Sequence, residues 1–184
     1  KLDTKIAGNL YLGIVSDSDR FLLPYTTNKT FQVVHDLIQA SNLDFTSLYN
    51  YLYDRSIDEV KFQGYIAMNM TVTENGLGYI ILPSEVVKEY HVDLATPANL
   101  INSFNFIREV LVWTFITEDA KNNVYKVSIR SHGPIINETA SKYHGGGHKY
   151  ASGARITSEE EIQSFIKDLD QLCEEYKRAS ISNI

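Results

Sequence analysis

Val124-Tyr125-Lys126-Val127-Ser128-Ile129-Arg130-Ser131 alternates apolar Val127 and Ile129 with polar Lys126, Ser128 and Arg130, the period-two pattern of a half-buried strand. Ile136 to Tyr143 has helical character, Gly145-Gly146-Gly147 breaks it, and Ala151 to Ile156 can form a returning strand. These pieces make one compact strand-helix-strand unit, so the class is α/β. Three successive glycines are costly unless the backbone needs positive φ or something must approach it closely. Such a loop can turn several N–H groups toward one anion. No Gly-Lys-Ser/Thr follows, so it is not a Walker-type phosphate loop, and its charge would come from His148 and Lys149. Taken alone, the triplet fits a plain helix-to-strand connection better than an anion loop.

Arg130 stands at the end of the strand, where a planar guanidinium can take a phosphate or carboxylate through two parallel bonds. In isolation it is an ordinary surface arginine. Its conjunction with the glycine loop bordered by His144 and His148 points to an anion pocket.

Outward from this unit, Ser158-Glu159-Glu160-Glu161 starts a last helix to about Arg178, with Ile162, Phe165, Ile166, Leu169 and Leu172 on one side. Upstream, Val110 to Ile116 reads as a strongly apolar strand. Thr96-Pro97 opens a helix to about Phe106, and Pro83-Ser84 another to Tyr90. Thr71-Val72-Thr73 and Tyr79 to Leu82 read as a hairpin around Asn75-Gly76. Everything before Met70 is helical: residues 5–16, Thr30 to Ala40, Thr46 to Tyr53, and a helix to about Asn69 capped by Ser56 and Glu59. A boundary is expected between Asp54 and Asn69, giving a helical segment 1–54, a linker helix 55–69 and an α/β domain 70–184. The chain opens at Lys1 with the stripe Ile6, Leu10, Ile14 already running, as expected if it begins inside a domain.

The 184 residues carry 17 Lys plus Arg against 23 Asp plus Glu, a formal net charge of −6, which argues against a basic coat for long duplex nucleic acid. Cys173 is the only cysteine, so neither an internal disulfide nor a cysteine-based zinc site can form. A reducing cytoplasm is the expected setting. No apolar run approaches the ~20 residues that cross a bilayer, and no membrane partner is expected.

Asp17 and Asp19 lie two apart just past the first helix, and paired hard carboxylates at an element end suit Mg²⁺ or Mn²⁺. The same pair fits a plain helix C-terminal turn. His35, His91 and His132 show no metal-ligand spacing and read as surface or satisfied core histidines.

Ser128-Ile129-Arg130-Ser131, Asn137-Glu138 and Gly145-Gly146-Gly147-His148-Lys149-Tyr150-Ala151-Ser152-Gly153-Ala154 together resemble the signature of the DHH-associated C-terminal domain. Gly13-Ile14-Val15-Ser16-Asp17-Ser18-Asp19-Arg20-Phe21, with Pro24-Tyr25-Thr26-Thr27, resembles the last metal-binding motif of the DHH phosphoesterase domain. The combination is most similar to the NrnA type, which hydrolyses short oligoribonucleotides and 3′-phosphoadenosine 5′-phosphate. The resemblance implies a helical remnant of a DHH domain followed by a small mixed-sheet α/β DHH-associated domain. It implies two Mn²⁺ ions in the complete enzyme, with Asp17 as a ligand and the other ligands absent from this chain. It assigns Arg130, Ser131, Gly145, Gly146, Gly147 and His148 to the substrate's phosphate and terminal nucleotide. Asp19 and His144 stand where relatives usually have glycine. Related domains also occur in cyclic-dinucleotide phosphodiesterases and, as a non-catalytic tRNA-binding module, in alanyl-tRNA synthetases; Asp17 in its motif argues for the phosphoesterase.

Overall fold

The computed structural model describes residues 3–23 and 25–181, so the expectations placed on Lys1 and Pro24 lie outside the described residues. The chain divides into two compact units, Lys1–Arg55 and Ser56–Ile184.

The first unit is three helices: α1 (Thr4–Asp17), α2 (Asn28–Ser41) and α3 (Phe45–Tyr53). Asp3 caps α1 through the N–H groups of Lys5 and Ile6, and Asp44 caps α3 through Ser47. Ala7, Tyr11 and Val15 of α1 meet Leu37 and Leu43 in a small core. Of the apolar stripe Ile6, Leu10 and Ile14, only Ile14 packs against this core; Ile6 is 54% and Leu10 49% exposed. The buried face lies one position round the helix, because small Ala7 and Gly8 admit the neighbouring helices.

The second unit opens with α4 (Ile57–Asn69), whose capping box is complete: the Ser56 N–H donates to Glu59 Oε2 at 2.9 Å, and the Glu59 N–H to Ser56 Oγ at 3.1 Å. Phe62 and Ile66 of this helix are fully buried in the unit's core. Then follow β1 (Thr71–Val72), β2 (Leu77–Leu82), α5 (Ser84–Glu89), α6 (Thr96–Leu100), a 3-10 turn (Ile101–Phe104), β3 (Val112–Asp119), β4 (Val124–Ser131), α7 (Asn137–Lys142), β5 (Gly146–His148), β6 (Ala151–Ile156) and α8 (Glu159–Ile181). The strands form one mixed sheet in the order β1-β2-β3-β4-β6-β5, with β2 and β3 parallel and every other pair antiparallel.

Three local expectations shift. β3 begins two residues later than its apolar run and continues through Glu118 and Asp119, because these carboxylates have partners: Glu118 accepts the Ser84 N–H at 2.8 Å, and Asp119 pairs with Lys126 at 2.8 Å. The helix from Thr96 tightens to 3-10 geometry after Leu100, where the Trp113 indole N–H takes the Ile101 carbonyl at 2.9 Å. The glycine triplet is only partly a loop, since Gly146 and Gly147 pair with Gly153 and Ser152 as an edge strand.

The two faces of the sheet differ. Val112, Ile116, Val127, Ile129, Ala154 and Ile156 point to the side covered by α7 and α8, against Phe165 and Leu169. On the other side, Trp113 and Phe115 of β3 are covered by α4, Leu100 and Phe104. β3 is therefore buried on both faces and reads as a continuous apolar run. β4 is buried on one face only, which is why its sequence alternates.

Candidate functional site

Directly opposed residues of neighbouring antiparallel strands share a face of the sheet. Arg130 on β4 opposes Ala151 on β6, and Ala151 opposes His148 on β5. Ser128, Gly153 and Gly146 form the next row, and Lys126 with Arg155 the one after. All eight are exposed or partly so. The face of β4, β6 and β5 turned away from α8 is thus a shelf whose middle has almost no side chains and whose margins carry cations. Arg130 and His148 stand two strand spacings apart, about 10 Å between backbones, a gap that one phosphate and two long side chains fill.

Arg130 is oriented by its surroundings. Its Nε donates to Asn102 Oδ1 and its Nη1 to the Ile129 carbonyl, both at 2.9 Å, which fixes the plane of the guanidinium. Asn102 lies on the 3-10 turn that Trp113 holds in place, so buried aromatic packing reaches the exposed cation through one amide.

The three glycines have three different reasons. A Cβ on Gly145 would come within 2.0 Å of the Gly153 carbonyl oxygen, and the Gly145 N–H already donates to the Ala140 carbonyl at 3.0 Å. Gly147 has φ +137°, and a Cβ there would meet the Ala151 oxygen at 2.7 Å. Gly146 is constrained by neither: a Cβ built on it finds nothing within 4 Å. Its missing side chain leaves open space above the shelf. His144, where glycine would be unstrained, sits at φ 55° at the end of α7.

Ser131 is not brought to this face. It is buried on the α8 side, donating from Oγ to the Pro134 carbonyl at 2.7 Å and accepting the Gly133 N–H at 3.1 Å, and so shapes the loop that follows β4. Tyr176 of α8 packs against that loop at Gly133, so closely that a Cβ there would lie 2.3 Å from the phenol oxygen.

Two residues beside the shelf have no binding role in the sequence reading, which gives His132 as a surface or satisfied core histidine and Asn137 only as part of the signature. His132 lies two beyond Arg130, hence on the same face, with its ring 4.8 Å from the Trp113 ring and inclined at 40°. The i, i+2 step from Arg130 was the available signal. Asn137, at the start of α7, has a buried Oδ1 with no hydrogen-bond partner, an arrangement that costs ~1–3 kcal/mol and that a ligand donor would relieve.

Asp17 belongs to the first unit and is exposed at the last residue of α1. Its carbonyl accepts the Tyr25 hydroxyl at 2.6 Å, and burial, followed by the charges of Asp17 and Asp19, raises the Tyr25 phenol above its ordinary range. Asp19, Arg20 and Phe21 are all left-handed, at φ 44°, 61° and 68°, at a cost of ~1–2 kcal/mol each. The run is held by the Arg20 N–H on the Val15 carbonyl at 2.8 Å and the Phe21 N–H on Ser18 Oγ at 3.0 Å. Asp19 is engaged by the Arg20 guanidinium at 3.1 Å. No group of three or more His, Cys, Asp or Glu suited to a metal occurs among the described residues. Each hard divalent cation takes about six oxygen ligands; the described residues do not by themselves fit a two-ion centre.

Residues 84–175, half of the chain, match the DHHA1 domain. The chain belongs to the DHHA1 domain family. The matched span of this DHHA1 chain contains the whole shelf. It is similar to the "Bifunctional oligoribonuclease and PAP phosphatase NrnA" of Bacillus subtilis, 36% identical over 177 residues that make up 96% of this chain and 56% of that protein. It is similar also to the "Probable bifunctional oligoribonuclease and PAP phosphatase NrnA" of Streptococcus mutans, 34% identical and covering 94% of this chain and 55% of that one. The chain spans about half the length of the curated relatives it matches. Its fold is shared with an exopolyphosphatase-related protein from Bacteroides fragilis, at a TM-score of 0.83 and 24% identity, over 96% of this chain and 52% of that one. Among the described residues, no helix is long and apolar enough to cross a membrane.

Proposed function

We propose that the second unit, Ser56–Ile184, grips the phosphate end of a short oligoribonucleotide or of 3′-phosphoadenosine 5′-phosphate for a metal-dependent phosphoesterase. The observation that carries this is the single row of Arg130, Ala151 and His148 beside the side-chain-free space over Gly146. Arg130, pre-aimed by Asn102, presents a fixed fork to two phosphate oxygens. His148 donates from the opposite margin. The shelf floor lets the sugar-phosphate lie against backbone. Held in this way, the phosphoryl group loses rotational freedom, and the charge that grows on its oxygens during attack meets donors already in place. A short substrate needs only these few contacts, which suits an acidic chain.

In this reading residues 1–54 are the end of the DHH catalytic domain, and Asp17 contributes one carboxylate to a site of two Mn²⁺ ions completed by other polypeptide. The strained run from Asp19 to Phe21 supports a functional role for that helix end, since such conformations persist where a site requires them. A cytoplasmic setting, where short RNA fragments arise, belongs to the same proposal. The chain alone is expected to release no nucleoside monophosphate.

Titration of 3′-phosphoadenosine 5′-phosphate and of a dinucleotide into the chain, followed by amide NMR, tests the grip. Shifts at Gly146, His148 and Ala151, and a loss of roughly five-fold or more in affinity for Arg130→Gln and His148→Ala, are expected. Unchanged affinity in both variants, or a preference for tRNA over the dinucleotide, would overturn it.

A further inference from the structure

The shelf does not end at the phosphate row. Two residues further along β4 the floor is Ser128, Gly153 and Gly146, and two further still Lys126 and Arg155 stand directly opposed across β4 and β6. Like charges so placed repel, and a sheet does not favour the pairing for its own sake. Lys126 settles its charge on Asp119 at 2.8 Å. Arg155 is exposed, and no carboxylate pairs with it among the described residues.

A cation on an open face, set beside Lys126 and separated from Arg130, one strand over and four residues along, by a bare floor, is arranged for an anion that reaches across that floor. Four residues of strand separate Arg130 from the Lys126 row, about 13 Å. A stacked nucleic-acid strand advances about 3.4 Å per nucleotide and a stretched one roughly twice that. The gap therefore corresponds to two steps of a stretched strand, with the intervening sugar or base lying flat on Gly153 and Gly146.

We infer that Arg155 is a second phosphate contact, engaging the phosphodiester two links from the phosphate held at Arg130 and so favouring trinucleotides and longer fragments over mononucleotides. This rests on the reading of Arg130 and His148 as the first phosphate grip. No bond is made or broken in this contact; it acts on affinity and on substrate length.

The test uses the 184-residue chain with three probes: adenosine 5′-monophosphate, 3′-phosphoadenosine 5′-phosphate, and the 5′-phosphorylated triribonucleotide of adenosine. Arg155→Gln is expected to weaken the triribonucleotide roughly three- to ten-fold while leaving the two mononucleotides within about two-fold. The slope of log affinity against log salt for the triribonucleotide should fall by about 0.7, the release of one counterion from a single strand, and Arg155→Lys should restore it. Arg130→Gln is expected to weaken all three. If Arg155→Gln leaves the triribonucleotide unaffected, or weakens all three probes equally, while Arg130→Gln still costs binding, the second contact is refuted and the first grip stands. If Arg130→Gln has no effect on any probe, or the chain binds none of them, both fail.

Discussion

The two faces of the sheet under β4, β6 and β5 are built from the same three strands, yet one is a packed interior and the other a nearly bare shelf. Toward α8 the alternate positions are Tyr125, Val127, Ile129, Ser131, Ser152, Ala154, Ile156 and Gly147, and Val127, Ile129, Ala154 and Ile156 are buried against Phe165 and Leu169. Away from α8 the alternate positions are Lys126, Ser128, Arg130, Ala151, Gly153, Arg155, Gly146 and His148. β3, their neighbour, is covered on both sides. A sheet left open on one side over only part of its width is not short of core. The opening is local, begins at the strand after Trp113, and coincides with the cations and the glycines.

The largest test of that division is Ile129→Ala, which empties a fully buried position on the packed face. A loss of ~2–5 kcal/mol in unfolding free energy is expected by denaturant titration, with affinity for 3′-phosphoadenosine 5′-phosphate retained under folding conditions. A loss of affinity in excess of the unfolded fraction would mean the two faces are coupled rather than separate. Gly145→Ala should come next, at ~2–3 kcal/mol, because its Cβ would collide with backbone rather than with a flexible side chain. Gly146→Ala sharpens the contrast within the same triplet. Its stability should stay within about 0.5 kcal/mol, since the new methyl meets nothing, while nucleotide affinity falls several-fold because the methyl occupies the ligand's space. If Gly146→Ala destabilises the chain as much as Gly145→Ala, the shelf is a packing feature and not a binding one.

The smallest effect concerns pH. The Lys126 ammonium, aided by Asn122, holds the Asp119 carboxyl down from 3.8 to about 2. A lowered folded value means the contribution is fully present above the ordinary carboxylate range and is lost as the pH falls through that range toward about 2. The stability gap between the native chain and Asp119→Asn should therefore be constant from pH 7 to 5 and narrow between pH 4 and 2, followed by thermal melts. A gap that widens on acidification would show that Asp119 is not the carboxylate that balances the Lys126 charge beside Arg155.

The sequence made some of this plain and hid the rest. The capping box at Ser56 and Glu59, the alternation of β4 and the acidic start of α8 are local signals, and the structure carries them as read. β5 was obscured because glycine is a poor strand former, and only pairing with Gly153 and Ser152 makes it one. The end of β3 was obscured because Asp119 reads as a turn residue until Lys126, seven positions on, is seen beside it. The row joining Arg130 to His148, and the second joining Lys126 to Arg155, depend on inter-strand register, which no spacing along the chain encodes. Ser131 shows the converse: adjacent to Arg130 in sequence, it points through the sheet to the other side.

Both margins of the sheet are short, two residues at β1 and three at β5. A long, flat outer strand would offer its unpaired amides and carbonyls to another molecule, the usual route to chains zipping together into fibrils. The glycines that keep the shelf clear also keep β5 too brief and too weak to recruit such a visitor. Replacing them with β-branched residues to stiffen the loop would extend that margin and invite self-association, so solubility at high concentration depends on the same few atoms whose absence keeps the shelf bare.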